Sequence, residues 1–156
     1  MARRWVLAAC SVAVVAAIAT GTFVAFQQRA STSEGSLRAL EALRTDPLAA
    51  RTHPGATLSF VEDRSHKGPD LVTGKPTTTQ LLRSFTPIAG STSSLLNRLR
   101  AEALAAGWFP EPNALPSEVR ATKGFSFGLG QLVITIDDRA NPASVVIALT
   151  PSNPDL

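Results

Sequence analysis

The hydrophobic pattern divides this chain of 156 residues into an apolar segment, a polar joint and a folded region. From Trp5 to Phe26 runs WVLAACSVAVVAAIATGTFVAF, 22 residues without a charge. As a helix rising 1.5 Å per residue it spans roughly 33 Å, enough for a hydrocarbon core of about 30 Å. Residues 27–36, QQRASTSEGS, are polar and small and read as a flexible spacer. Leu37, Leu40 and Leu43 then recur every third residue, which predicts a short amphipathic helix. Asp46-Pro47 resembles an N-cap followed by a first-turn proline.

Leu58 and Phe60 alternate in TLSFV (57–61), a first strand entered from the turn His53-Pro54-Gly55. Residues 62–76, EDRSHKGPDLVTGKP, are charged and broken by glycine and proline, so an exposed loop is expected. A second strand is expected over Thr77 to Phe85. Ser91 to Ala106 has the clearest helical spacing, with Leu95, Leu96, Leu99, Ala103 and Leu104 on one face and Gly107 as the stop. Trp108-Phe109 begins a short strand or fastens the helix to the sheet, and the proline-rich stretch 111–117 is a loop.

Glu118 to Phe127 reads as a strand, Gly128-Leu129-Gly130 as a tight turn, and Leu132, Ile134 and Ile136 alternate along the next strand. After a turn at Asp137 to Pro142, Val145, Ile147 and Leu149 alternate again, and residues 151–156 form a frayed tail. The expected fold is α+β: an N-terminal transmembrane helix, then an antiparallel sheet of about five strands with one main helix packed on one face. The divisions are 1–26 for the cytoplasmic stub and transmembrane signal anchor, 27–36 for the spacer, 37–150 for an extracytoplasmic domain and 151–156 for the tail.

Charge adds direction to this picture. Arg3 and Arg4 precede the apolar run, and by the positive-inside rule they hold the N-terminus in the cytoplasm and send the domain outside. They also account for most of the basicity. The formal charge is +3 and the isoelectric point near 9.8, yet from Gln27 onward 13 basic residues face 12 acidic ones. With no basic stripe to follow a phosphate backbone, nucleic acid is not an expected partner.

The anchor admits two other fates. Leu7-Ala8-Ala9-Cys10 has the form of a lipobox, but only Trp5 to Ala9 precede the cysteine, too few to cross a bilayer. Ala17-Ile18-Ala19 offers an A-x-A cleavage site, although Thr22 to Phe26 continue the apolar run beyond it. Retention gives a single-pass protein of the cell membrane, and cleavage a secreted one. Ala9, Ala13, Ala17, Gly21 and Ala25 fall every fourth residue, spacing that lets two such helices pack closely.

Candidate chemistry changes little. Cys10 is the sole cysteine, so an intramolecular disulfide and any metal site that needs several thiolates are excluded. Residues 68–76, GPDLVTGKP, have one residue too many between the glycines for a phosphate loop and a proline where a hydroxyl is needed. Glu62, Asp63, His66 and Asp70 match no compact ligand spacing and read as a solvated loop. Asp137-Asp138 suits a turn, where aspartate bonds its own backbone. His53, beside Pro54-Gly55, reads as a turn residue and not a general base. No G-x-S-x-G elbow or S-x-x-K pair appears. The reading therefore names no catalytic, cofactor-binding or metal-ligating residue and no cofactor. Trp108, Phe109, Phe125 and Phe127 are expected in the core, or, where the sheet leaves a face open, at a partner site with the 62–76 loop.

With its elements placed, the chain resembles small exported α+β proteins of high-GC Gram-positive bacteria. The resemblance rests on the order anchor, leucine-rich helix, TDPLAARTHPGATL, GKPTTTQLLRSF, a helix ending AAGW and three terminal strands. It implies a location in the cell envelope and an N-terminal anchor, and it transfers no functional residue. The expectation is a non-catalytic binding or interaction module whose partner is an envelope component or a second copy. The alternatives are an envelope hydrolase with a dispersed site and a structural subunit pairing through its membrane helix.

Overall fold

The computed structural model describes residues 34–65 and 78–153. The apolar run 5–26, His66, Asp70 and the glycine-rich stretch 68–76 lie outside the described residues. Among those described, no helix is long and apolar enough to cross a membrane.

Helix α1 covers residues 34–44 and so already includes three residues that composition assigns to the spacer. Its buried stripe is Ser36, Ala39, Leu40 and Leu43, the i, i+3, i+4, i+7 set of a single face. Leu37, counted with the leucine repeat, lies off that stripe and is exposed. The helix ends in a turn at Thr45, and Asp46 then caps the 3-10 turn Pro47–Ala49, accepting a hydrogen bond from the Leu48 N–H at 3.0 Å. The Asp46-Pro47 signal was legible because both residue types act locally.

Strands β1 (Ala56–Arg64) and β2 (Gln80–Pro87) form an antiparallel pair. Helix α2 (Thr92–Ala105) follows, then β3 (Phe109–Pro110), β4 (Glu118–Phe125), β5 (Gly128–Asp137) and β6 (Ser144–Pro151). Among the described residues the sheet has six strands, against an expectation of about five, in the order β1-β2-β6-β5-β4-β3, and every neighbouring pair is antiparallel. The sixth is the two-residue β3, too short to give a period of its own. The chain thus leaves β2, crosses as α2 to the far edge, and meanders back until β6 closes against β2.

Both ends of α2 follow from sequence. Ser91 Oγ accepts from the Ser94 N–H at 3.2 Å, and Gly107 takes the left-handed conformation (φ 82°) just past the helix. The Gly107 N–H donates to Leu104 O and the Trp108 N–H to Ala103 O, the paired bonds of a Schellman turn. Leu95, Leu96, Leu99 and Ala103 are buried against Phe85, Leu132, Ile134, Ile147 and Leu149 of the sheet, with Leu40, Leu43 and Leu48 alongside.

Several expected boundaries move: β2 starts at Gln80 and continues to Pro87, and β6 takes in Pro151, the first residue assigned to the tail. Glu62, Asp63 and Arg64 continue β1 instead of opening a loop, because they pair with Leu82, Leu81 and Gln80. The β4–β5 hairpin turns at Ser126-Phe127, and Gly128, Leu129 and Gly130 belong to β5. Gly130 serves packing there: a Cβ would lie 2.7 Å from the Phe125 ring. The ring lies over that bare backbone, stacks on Phe127 at 5.1 Å and meets Trp108 edge-on at 5.7 Å.

Two charged groups are built into the helix-facing side of the sheet. The Asp46 carboxylate, its side chain wholly buried, accepts from the Leu48 N–H, from Trp108 Nε1–H at 3.2 Å and from Lys123 Nζ at 2.7 Å. The Arg83 guanidinium, also buried, donates from Nε to Ala49 O at 3.2 Å and from Nη1 to Leu82 O at 2.8 Å and to Asp63. Asp63 receives a further bond from Arg44 Nε at 3.0 Å. Burial is the largest single influence on the Asp63 carboxyl and pushes its pKa up. The hydrogen bonds and charges of Arg83 and Arg44 together outweigh it and hold the pKa below the ordinary aspartate value.

Two outcomes follow from these anchors. Asp46→Ala strands the Lys123 ammonium and the Trp108 N–H, so urea unfolding should show a loss of about 3–5 kcal/mol; a loss below about 1 kcal/mol contradicts the role given to Asp46. Asp63, with its folded pKa depressed, contributes stability above its unfolded value of about 3.9 and loses it as pH falls through the folded pKa. The stability gap between the wild type and Asp63→Asn should therefore be widest above about pH 4 and narrow below it. Denaturant titrations across that range check this, and a constant gap excludes it.

Candidate functional site

The Schellman turn that ends α2 decides the shape of the neighbouring surface. It reverses the chain so that the Trp108 indole enters the core while Phe109 and Pro110 pair with Thr122 and Ala121 at the sheet edge. Pro110 has no N–H to offer an incoming strand, which blunts this edge. The Glu111 N–H continues the pairing to Arg120 O at 2.8 Å, and the chain then loops out over 112–117 before β4. Arg100 on α2 fastens the loop, donating from Nη2 to Pro116 O at 3.0 Å and to Glu118 O at 3.3 Å.

Helix and loop are thereby held apart over β4, leaving a groove of about 350 Å³. Trp108, Ala103, Val119 and Ala121 line its apolar floor, and Leu104, Pro110 and Leu115 its walls. Leu104 and Leu115 are 53% and 62% exposed, and Phe109 on the same edge is 72% exposed. The charged members of the lining are Arg100, Glu111, Glu118 and Arg120, with Arg120 Nε donating to Glu118 at 2.8 Å. The volume lies within the range of small-ligand sites, and exposed leucines around an apolar floor are the chemistry of an interaction surface. No serine, histidine or cysteine is among the lining residues described.

The residues singled out by sequence are scattered. Glu62 pairs with Arg64 at the surface, and Asp63 belongs to the Arg83–Arg44 cluster, so each carboxylate is engaged by arginine. Asp137 closes β5, its Oδ1 accepting from the Arg139 N–H at 3.0 Å as expected of a turn aspartate. His53 opens the turn, as expected, with its carbonyl oxygen accepting from the Ala56 N–H at 3.2 Å, but its side chain points inward. It is buried, its Nδ1 lies 2.9 Å from Glu102 on α2, and its ring meets Phe85 edge-on at 4.8 Å. Its Nε2 is enclosed, with no hydrogen-bond partner among the described residues. This contact ties the entry of β1 to α2. Glu102 stands 49 residues from His53 along the chain, a separation that local patterns do not reveal.

Of the four aromatic residues, Trp108 is in the core, Phe125 and Phe127 pack against it, and Phe109 is exposed at the edge. Sequence reasoning missed Arg100 and Leu115 as site residues. A lone leucine among three prolines was the available signal for Leu115, and Leu104 was counted with the core stripe although it faces solvent. Among the described residues, no group of three or more His, Cys, Asp or Glu side chains could hold a metal ion.

The fold and groove define an α+β domain with an exposed apolar groove at one edge of its sheet. Comparison with protein-family models, with curated proteins and with solved structures returns no match to this chain.

Proposed function

We propose that this protein is a non-catalytic binding module, held on the outer face of the cell membrane by residues 5–26 as a signal anchor. The observation that carries the binding role is the groove between α2 and the 111–117 loop, with its apolar floor and exposed Leu104 and Leu115. Such a surface gains free energy by covering its leucines with a partner's apolar side chains, at about 25 cal/mol per Å² removed from water. The placement rests on the uncharged run and on Arg3-Arg4 ahead of it. The ligand is an envelope component that presents an apolar segment.

A photo-crosslinking residue at Leu115 in the full chain, expressed in cells, should give a discrete adduct that Leu104→Glu abolishes. The same probe at Leu129, exposed on β5 outside the groove, should not give it; identical adducts from both positions defeat the reading. The intact mass of the mature protein tests the anchor. A chain beginning at Met1 or Ala2 is expected, whereas one beginning at Thr20, or at an acylated Cys10, overturns it.

A further inference from the structure

The sheet face turned away from α1 and α2 holds a feature for which the fold and the groove give no reason. Ser84 on β2 and Ser144 on β6 are more than nine-tenths buried, and the Ser84 hydroxyl donates to Ser144 Oγ at 3.0 Å. On β1 the register slips between Leu58 and Phe60, a bulge that brings Ser59 Oγ within 3.1 Å of both Ser84 Oγ and Ser84 O. Three hydroxyls on three adjacent strands thus form one hydrogen-bonded row. Cross-strand pairing extends the row at both ends, with Phe60 opposite Ser84 and Asp137 opposite Ser144.

These groups line a hollow of about 450 Å³ together with Asn141 and Pro142 of the β5–β6 loop. Phe60 is 52% exposed at its rim, and Leu82 and Val146 supply further apolar surface. The chemistry of the lining selects the ligand. Asp137 is its sole charged side chain among the described residues, so an anion such as a phosphate finds no cation there. A metal ion finds one carboxylate where several are needed. Hydroxyls, a carboxamide and a carboxylate beside an exposed aromatic ring suit a neutral molecule that carries both hydroxyl groups and an apolar C–H face. The carboxylate and Asn141 oxygen can accept from ligand hydroxyls, the Ser144 hydroxyl at the end of the row and the Asn141 amide can donate to them, and the C–H face can lie on the Phe60 ring.

The geometry points to a second binding site, independent of the groove, that takes a short neutral oligosaccharide across Phe60, the Ser59–Ser84–Ser144 row and Asp137. The full chain, labelled with ¹⁵N in zwitterionic micelles whose headgroup is not a sugar, should be titrated with maltotriose and separately with triacetylchitotriose. Saturable amide shifts centred on Phe60, Ser84, Asn141 and Ser144 are expected with at least one of them, with a Kd of about 1 mM. Phe60→Ala and Asn141→Ala, both at exposed positions, should each weaken binding about tenfold, while Leu129→Ala leaves it unchanged. The inference fails if neither sugar shifts these amides at about 10 mM. It also fails if the shifts centre on Leu104 and Leu115, or if both variants bind like the wild type.

Discussion

A single buried carboxylate sets the arrangement of this domain. Asp46 lies where α1 ends and the 3-10 turn begins, and its three hydrogen bonds reach its own turn, Trp108 three residues past α2, and Lys123 near the end of β4. Burying a carboxylate costs several kcal/mol unless a counter-charge and further donors compensate. Here an amide, an indole N–H and an ammonium do so. The Lys123 ammonium is in turn seated 5.8 Å from the Trp108 ring centre and 5.5 Å from that of Phe125, so the aromatic faces also share its charge. An apolar residue at 46 could fill the space, but it could not specify which indole and which lysine meet there.

The groove depends on that choice. Trp108 is both a partner of Asp46 and part of the groove floor, and Leu104 lies within the turn that sends Trp108 inward. Arg100 then holds the loop wall in place from α2. The exposed leucines thus sit on a helix and a loop already fastened to each other, so the proposed partner would meet the loop in place. Preorganisation of this kind lowers the entropic cost of association, which is how a small apolar groove can hold a partner selectively.

Much of the fold was legible in the sequence because it rests on local rules. The Asp46-Pro47 cap, the Ser91 cap and the Gly107 stop act within a few residues. The alternation of Leu132, Ile134 and Ile136 or of Val145, Ile147 and Leu149 states which side of a strand is buried. What escaped depends on partners far along the chain. Gly130 looked like a turn residue because its reason for being glycine is the Phe125 ring, which lies over it from the paired strand. Glu62-Asp63-Arg64 looked like loop because charge is rare in strands, yet Asp63 faces Arg83 and Arg44. The groove was illegible for the same reason: Arg100, Leu104 and Leu115 acquire their roles only once the 111–117 loop is folded against α2.

The edge strands show how the same physics yields different surfaces at the two ends of the sheet. At β3, Pro110 withholds a donor and the helix-facing side opens as an apolar groove. At β1, the bulge at Ser59 interrupts the ladder, which protects the edge from adding another strand and also turns a hydroxyl toward Ser84. A bulge for edge protection alone would not require buried serines on the next two strands. Ser84 and Ser144 occupy positions where valine would pack without needing hydrogen bonds, as Val146 does opposite Ser84 in the register. Their linkage in one row, opening beside an exposed phenylalanine, is better accounted for by the polar ligand inferred for that face than by the stability of the sheet.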